Sequence, residues 1–399
     1  MLDLTKVAGQ IPGMGNHLKR EAVASRQRLD KARQLLAQCQ QRQAELIAQH
    51  HHWGDRLFFS VALPVEPLDL RPCIAPAPSR HSVFATDGSQ IAPSHHEIAY
   101  CYLLNIGRIM LHYGQNRHPL LDSLPQIYYE PQDLYIARQW GLRTEEWMGH
   151  RRTLLEAQCL SALACRWVNP PGPHFEPNLA LVDGSLIYWF LESLPQPARE
   201  KILPPILAAW EDLRQLKIPL LGYISAPRSN EAMNFLRLQA CSYPEPNCSS
   251  HCEGLSETEK TPCQIFEPLR DATFWGQLLQ PGQRSPLWQS SLRILDLYPP
   301  CQRVYFCYVN VGSEIVRVEF PQWVALDPPL LEQSLGIMLA QVHKGYGYPV
   351  ALAEAHNQAV VRGSDRARFF TLLEQQMIRS GLENVGISFK EARKRGSVV

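Results

Sequence analysis

Phe84-Ala85-Thr86-Asp87-Gly88-Ser89 and Leu181-Val182-Asp183-Gly184-Ser185 are two apolar runs that each lead into Asp-Gly-Ser. A carboxylate at the mouth of a buried strand, followed by a glycine that frees the backbone to turn, is how a sheet presents a metal ligand at its edge. One such tripeptide alone reads more simply as a turn. Two of them at matching strand ends point to a shared site.

Working outward from the first run, Ser82–Thr86 reads as a short buried strand. Ile98–Asn105 and Ile109–Tyr113 read as two more, with Gly107 turning between them, and the three make an antiparallel meander. A loop rich in Tyr and Pro follows. Thr144–Trp167 holds no Pro and a single Gly, and Leu155, Cys159, Ala162, Leu163 and Arg166 mark one face of a helix. Asn178–Val182 is the second Asp-Gly-Ser strand, Ala198–Leu216 a helix and Pro219–Ser225 a buried strand. Three antiparallel strands, helix, strand, helix, strand is the connectivity of a ribonuclease H-like mixed sheet flanked by helices. In that α/β architecture carboxylates stand on the first strand, the first helix and the end of the fourth strand. Asp87, Glu156 and Asp183 occupy those stations, and Glu145 and Glu146 compete with Glu156 for the helical one.

Residues 1–62 read as an N-terminal helical arm. Asn16–Gln49 has neither Gly nor Pro, and Leu18, Ala22, Ser25, Leu29, Ala32, Leu36, Cys39, Gln43 and Leu46 recur at heptad spacing, a seam for its own domain or an antiparallel partner. His50-His51-His52 at its end point in different directions and suit an exposed terminus better than a metal site. Residues 63–80 carry Pro64, Pro67, Pro72, Pro76 and Pro78 and read as a stiff linker before a catalytic domain spanning 81–389. In the second half of the chain, Ser229–Ala240 reads as a helix capped by Ser229 or Asn230. Arg303–Val309 and Glu314–Phe320 form a hairpin, and Pro328–Val342 is a helix. Gly345-Tyr346-Gly347-Tyr348-Pro349 is a forced turn before a helix Val350–Val361 that carries His356. A further helix, Ser364–Ser380, capped by Ser364, and a basic tail, 390–399, complete the chain.

An in-line attack on a phosphodiester needs an activated water and a neutralised leaving oxygen, and two divalent ions about 4 Å apart supply both. Such hard ions take oxygen ligands, so convergent carboxylates are the protein's expected contribution. Arg151, Arg152, Arg228, Arg362, Arg366 and Arg368 are candidates for phosphate contacts.

These residues resemble the NurA nucleases, which process DNA ends together with a HerA-type hexameric translocase. The resemblance rests on Asp87-Gly88-Ser89, Arg152-x-x-x-Glu156, Asp183-Gly184-Ser185-Leu186, and Tyr348-Pro349 followed by Ala355-His356. It spans most of Arg80 to about Ser380. It implies a divergent bacterial member with a ribonuclease H-like core, using Mn2+ (or Mg2+) to cut single-stranded DNA and duplex ends in double-strand break repair, and working as a homodimer. It further implies that Asp87, Glu156, Asp183 and His356 bind the metal, with His356 a ligand or proton carrier and Tyr348 a positioning group. Two other readings stay open: a catalytically silent clamp subunit of a translocase, and a ribonuclease H-like enzyme acting on RNA.

Cys241, Cys248, Cys252 and Cys263 lie in an insertion, 241–263, that breaks the α/β rhythm. Four thiolates are what zinc or an iron–sulfur cluster takes, although gaps of six, three and ten residues match no standard finger or ferredoxin run. The other cysteines mostly sit singly in apolar segments, as Cys101, Cys159, Cys165 and Cys307 do, and read as small core residues. A formal charge of +1 over 399 residues excludes a globally basic polyanion binder, so DNA has to meet a local patch. No apolar run approaches the roughly twenty residues of a membrane span and no signal-peptide pattern is present, so the chain reads as cytoplasmic with no membrane partner.

Overall fold

The computed structural model describes residues 3–94, 99–168, 176–254 and 261–381. The basic tail 390–399, Ile98 and residues 169–175 lie outside them. Nine strands occur among the described residues: β1 (Ala62–Pro64), β2 (His81–Ile91), β3 (Tyr102–Tyr113), β4 (Leu120–Tyr128), β5 (Asn178–Asp183), β6 (Leu220–Ile224), β7 (Trp288–Ser290), β8 (Val304–Asn310) and β9 (Ile315–Pro321). The chain divides into two compact units: Met1–Ile74 with Ile224–Pro299 and Arg303–Glu319, and Ala75–Tyr223 with Pro300–Gln302 and Phe320–Val399.

The second unit carries strands in the order β6-β5-β2-β3-β4. β2 and β5, and β5 and β6, are parallel, whereas β2 with β3 and β3 with β4 are antiparallel. This mixed sheet has the strand order of the ribonuclease H-like fold. The helices Thr144–Val168 and Gln196–Gln215 pack together, the first also lying on β2 and β3, and the helix Val350–Ala359 packs on β2 and β3 as well.

Within this sheet two expected features change. β3 is continuous, and Gly107 lies in its middle instead of in a turn. The third strand of the meander is β4, in the segment expected as a loop. Leu121, Leu124 and Ile127 of β4 are exposed and Pro125 interrupts its donors. An edge strand tolerates both features, because one side of its backbone needs no partner.

The other unit carries β1, β7, β8 and most of β9 in that order. The long N-terminal helix is broken at Arg42 into Ile11–Gln41 and Gln43–Trp53. Its seam is buried only in the second half, at Ala32, Leu36, Cys39 and Leu46, whereas Leu18 is 57% exposed. There it lies against the Glu231–Ala240 helix, where Arg42 Nη1 donates to Gln239 Oε1 at 2.8 Å. The first half of the Pro-rich segment is tied down in this unit: the amide of Ile74 donates to Gly282 O at 2.8 Å, and Arg284 pairs with Glu66 at 2.6 Å.

Neither Ser229 nor Asn230 caps the Glu231–Ala240 helix through its side chain. Asp271, fully buried and forty residues away, takes that place, accepting from the amides of Ala232 (3.1 Å) and Met233 (2.8 Å) and from the Tyr308 hydroxyl (2.7 Å). Likewise Ser364 is not the cap of the last helix. That helix begins at Gly363, and Asp365 closes its first turn by accepting from the Arg362 amide at 3.0 Å. Next to Asp271, buried Arg317 is shared between Glu231 and Glu319, both at 2.7 Å.

Asp271→Ala strands two helix amides and a buried hydroxyl, so it should lower the unfolding free energy by roughly 3 kcal/mol, as read by chemical denaturation. Burial pushes the Asp271 carboxyl from its ordinary 3.8 up to about 6, against the pull of Tyr308 and the helix amides. The folded chain therefore keeps this proton longer than the unfolded chain. Stability from this group is greatest below the unfolded value and is lost as pH rises from roughly 4 to 6. Denaturation across that window should show wild type losing stability relative to Asp271→Asn, which has no such proton.

Candidate active site

β2 and β5 run parallel with Thr86 opposite Val182, so the next residues, Asp87 and Asp183, are neighbours at the sheet's edge. The two Asp-Gly-Ser runs differ in their backbone. At Asp183 the strand ends and Gly184 turns the chain with φ +108°, but Asp87-Gly88-Ser89 lies inside β2, which continues to Ile91. Gly88 is there for room. A Cβ on it would lie 2.4 Å from Glu156 Oε1 and 2.6 Å from Arg152 Cγ. A glycine inside a strand marks close approach by another element. Here the element is the Thr144–Val168 helix, held to β2 by the Thr86 hydroxyl, which donates to Glu156 O at 3.0 Å.

Glu156 thereby comes to the same cleft as the two aspartates. The cleft holds ≈ 240 Å³ and is lined by Asp87, Arg152, Glu156, Asp183, Tyr188 and Phe190, among others. Burial pushes the Glu156 carboxyl up to about 7; Arg152 pulls it down, and Asp87 and Asp183 push it further up. Arg152 Nε lies 3.2 Å from Glu156 Oε1. Asp183 is also raised, first by loss of water around it and then by Asp87, while a hydrogen bond from the Tyr348 hydroxyl works against the rise. Glu145 and Glu146 are not among the cleft's lining residues.

The C-terminal pair reaches this cleft from the opposite direction in sequence. Gly345 admits the Tyr348 carbonyl, Tyr346 takes φ +55° and Gly347 φ +120°, and the resulting turn sends the Tyr348 hydroxyl to Asp183. Burial and the Asp183 charge hold that phenol well above its ordinary range, so it stays a neutral donor. Two helical turns on, His356 Nδ1 donates to Asp87 Oδ2 at 2.8 Å. The carboxylate fixes the ring and its tautomer, which leaves the lone pair on Nε2. His356 is 64% exposed and Asp87 22%.

The helix carrying His356 is seated by residues that sequence reasoning missed. Gly107, opposite Asp87 in β3, lies directly beneath it: a Cβ there would be 2.3 Å from Ala355 O and 2.5 Å from Ala359 N. Asn105 Nδ2 donates to Ala359 O at 2.8 Å, and the Ser89 hydroxyl donates to the same carbonyl. The serine of the first Asp-Gly-Ser thus clamps the histidine helix. The only signal of this in the sequence was a glycine within an apolar run.

Of the candidate phosphate-binding arginines, Arg152 lines the cleft. Arg151 does not: it is held by Asp133 at 2.5 Å and by the Tyr102 hydroxyl at 3.0 Å, with the Tyr128 ring 4.2 Å from its guanidinium. Arg362, Arg366 and Arg368 are exposed around the start of the last helix, and Arg228 belongs to the other unit.

Two aspartates, a glutamate and a histidine are in kind a donor set for a hard divalent ion. Burial is the main reason that the Glu156 carboxyl is driven up to about 7, and the two neighbouring acids add to that rise against the pull of Arg152. Among the described residues, however, no three His, Cys, Asp or Glu side chains are drawn together closely enough to hold an ion as they stand.

The NurA domain matches residues 81–361 of this chain, which takes in Asp87, Glu156, Asp183, Tyr348 and His356. The chain belongs to the NurA family. The NurA nuclease from Sulfolobus solfataricus is similar in structure, with a TM-score of 0.51 and 12% identity, over 95% of this chain and 98% of that one. At that identity the likeness supports the shared fold. No curated protein matches the chain significantly. Among the described residues no helix of this NurA-family chain is long and apolar enough to cross a membrane.

Proposed function

We propose that this NurA-family chain is a divalent-metal-dependent nuclease that cuts single-stranded DNA and trims duplex ends in double-strand break repair, in company with a HerA-type hexameric translocase. The observation that carries the reading is the meeting of Asp87, Glu156 and Asp183 in one cleft of a ribonuclease H-like sheet, with His356 bonded to Asp87 and Tyr348 to Asp183. Asp87, Asp183 and Glu156 are the residues to hold Mn2+ or Mg2+. When bound, the metal lowers the pKa of an attacking water and neutralises the leaving oxygen.

The chain's own groups do the rest. The Tyr348 hydroxyl orients Asp183. Asp87 holds the His356 ring so that Nε2 can carry a proton to the leaving oxygen or ligate. Arg152, paired with Glu156 on the cleft wall, offers its positive charge to the phosphate. The family resemblance also supports an enzyme working as a homodimer.

The test is digestion of labelled single-stranded DNA by the purified chain. Digestion should require Mn2+ or Mg2+, stop on chelation and persist in excess unlabelled RNA. DNA that is bound and left uncut in both metals would make the chain a clamp subunit. Suppression by RNA, with RNA itself cut, would make it an RNA-directed enzyme.

A further inference from the structure

Remote from the carboxylate cleft in sequence, and within the unit that contains the N-terminal helices, four thiols line one small cavity. Cys241 closes the Glu231–Ala240 helix, Cys248 opens the short helix Cys248–His251, Cys252 follows that helix, and Cys263 enters from the far end of the insertion. Cys248, Cys252 and Cys263 are each less than a tenth exposed. Cys252 is hydrogen-bonded to Cys248, and both Cys241 and Cys263 lie within electrostatic reach of it. All four are free thiols. The remaining wall combines hydrocarbon such as Leu57 and Phe59 with Arg237, Asn247 and His251.

Donors already point at these sulfurs. The Tyr243 amide donates to Cys241, and Arg237 Nη2 lies 3.4 Å from Cys263 Sγ. The Thr261 hydroxyl is 3.5 Å from the same sulfur. Arg237 is itself buried, and its Nε has no hydrogen-bond partner. N–H bonds to sulfur and a guanidinium alongside suit thiolate ligands, whereas without a metal burial pushes the Cys241 and Cys252 thiols up.

The space between the thiols bears on the occupant. A zinc ion with bonds of about 2.3 Å draws four sulfurs to roughly 4 Å from one another. Cys248 and Cys252 are close enough to share a hydrogen bond, but among the described residues no three such side chains form a group that could hold a single ion. The four thiols stand around a cavity of ≈ 20 Å³, more than the roughly 10–15 Å³ that one water requires. An iron–sulfur cluster is several ångströms across, presents its irons to four separated thiolates and accepts N–H···S bonds that tune it.

We propose that Cys241, Cys248, Cys252 and Cys263 ligate an iron–sulfur cluster that pins the insertion onto the Glu231–Ala240 helix. The site is separate from the carboxylate cleft and does not depend on the nuclease reading. The full-length chain, purified anaerobically and reconstituted with ferric iron, a thiol reductant and sulfide, should be brown, with thiolate-to-iron charge-transfer absorption and equal amounts of iron and acid-labile sulfide. Cys252→Ser and Cys263→Ser should lose both, while Cys73→Ser, at an exposed cysteine outside the cavity, should keep them. Stoichiometric zinc without sulfide, or a colourless protein after reconstitution, overturns the proposal. If the serine variants fail to fold, the iron and sulfide content of the wild-type chain decides alone.

Discussion

Asp87→Ala and Asp183→Ala should each lower DNA cleavage by about 1000-fold or more while leaving the thermal midpoint of the metal-free chain unchanged or slightly raised. A carboxylate that holds a catalytic divalent ion accounts for several kcal/mol of transition-state stabilisation, and each 1.36 kcal/mol is a tenfold change in rate. The stability expectation runs the other way because these carboxylates crowd one another. Asp87 and Asp183 both push Glu156 up, and Asp87 also pushes up Asp183. Removing either acid relieves that repulsion, as is common where an active site has been kept at a cost to stability.

A second measurement separates a metal role from a merely structural one. An ion that binds only the folded chain raises its stability by RT ln(1 + [L]/Kd), about 2.7 kcal/mol at a hundredfold excess over Kd. Wild type should therefore melt higher when Mn2+ is added, and the two alanine variants should not. Cleavage that survived both substitutions, or an equal Mn2+-induced shift in all three proteins, would remove Asp87 and Asp183 from the metal site.

The parts of this arrangement that were legible in the sequence are those fixed by local chemistry. β5 and its turn could be read because an apolar run ending in Asp-Gly leaves few alternatives. The long helix could be read from its spacing, and with it the Arg152 and Glu156 pair one helical turn apart. His356 and Tyr348 carried no local signal of function and entered through the family resemblance.

What could not be read depends on partners far away in the chain. Gly88 and Gly107 looked like turn residues, because turns are where glycine is most often needed. Their actual reason is the close passage of a helix, and for Gly107 that helix lies almost 250 residues later. β4 looked like a loop because an edge strand has no obligation to alternate or to avoid proline. Asp271 displaced the nearer Ser229 and Asn230 as a cap because a buried carboxylate from another segment satisfied two amides at once.

Gly107 also yields the sharpest test of how the histidine is delivered. Gly107→Ala places a methyl group within 2.3 Å of Ala355 O and 2.5 Å of Ala359 N, both main-chain atoms with no rotamer to move aside. The Val350–Ala359 helix has to lift off β3. As it lifts, Ser89 and Asn105 lose the Ala359 carbonyl, and His356 is drawn away from Asp87. Overpacking together with the lost bonds should lower unfolding free energy by roughly 2–4 kcal/mol. A displacement of about 1 Å at a positioned catalytic group should lower the rate by about 100-fold. His356→Ala, by contrast, removes an exposed side chain and should reduce cleavage with little change in stability. Because the clash is with backbone, trimming the neighbour in Gly107→Ala/Ala355→Gly should rescue neither stability nor rate. Wild-type melting and cleavage in Gly107→Ala, or rescue by Ala355→Gly, would show that the close seating of this helix is not what delivers His356 to Asp87.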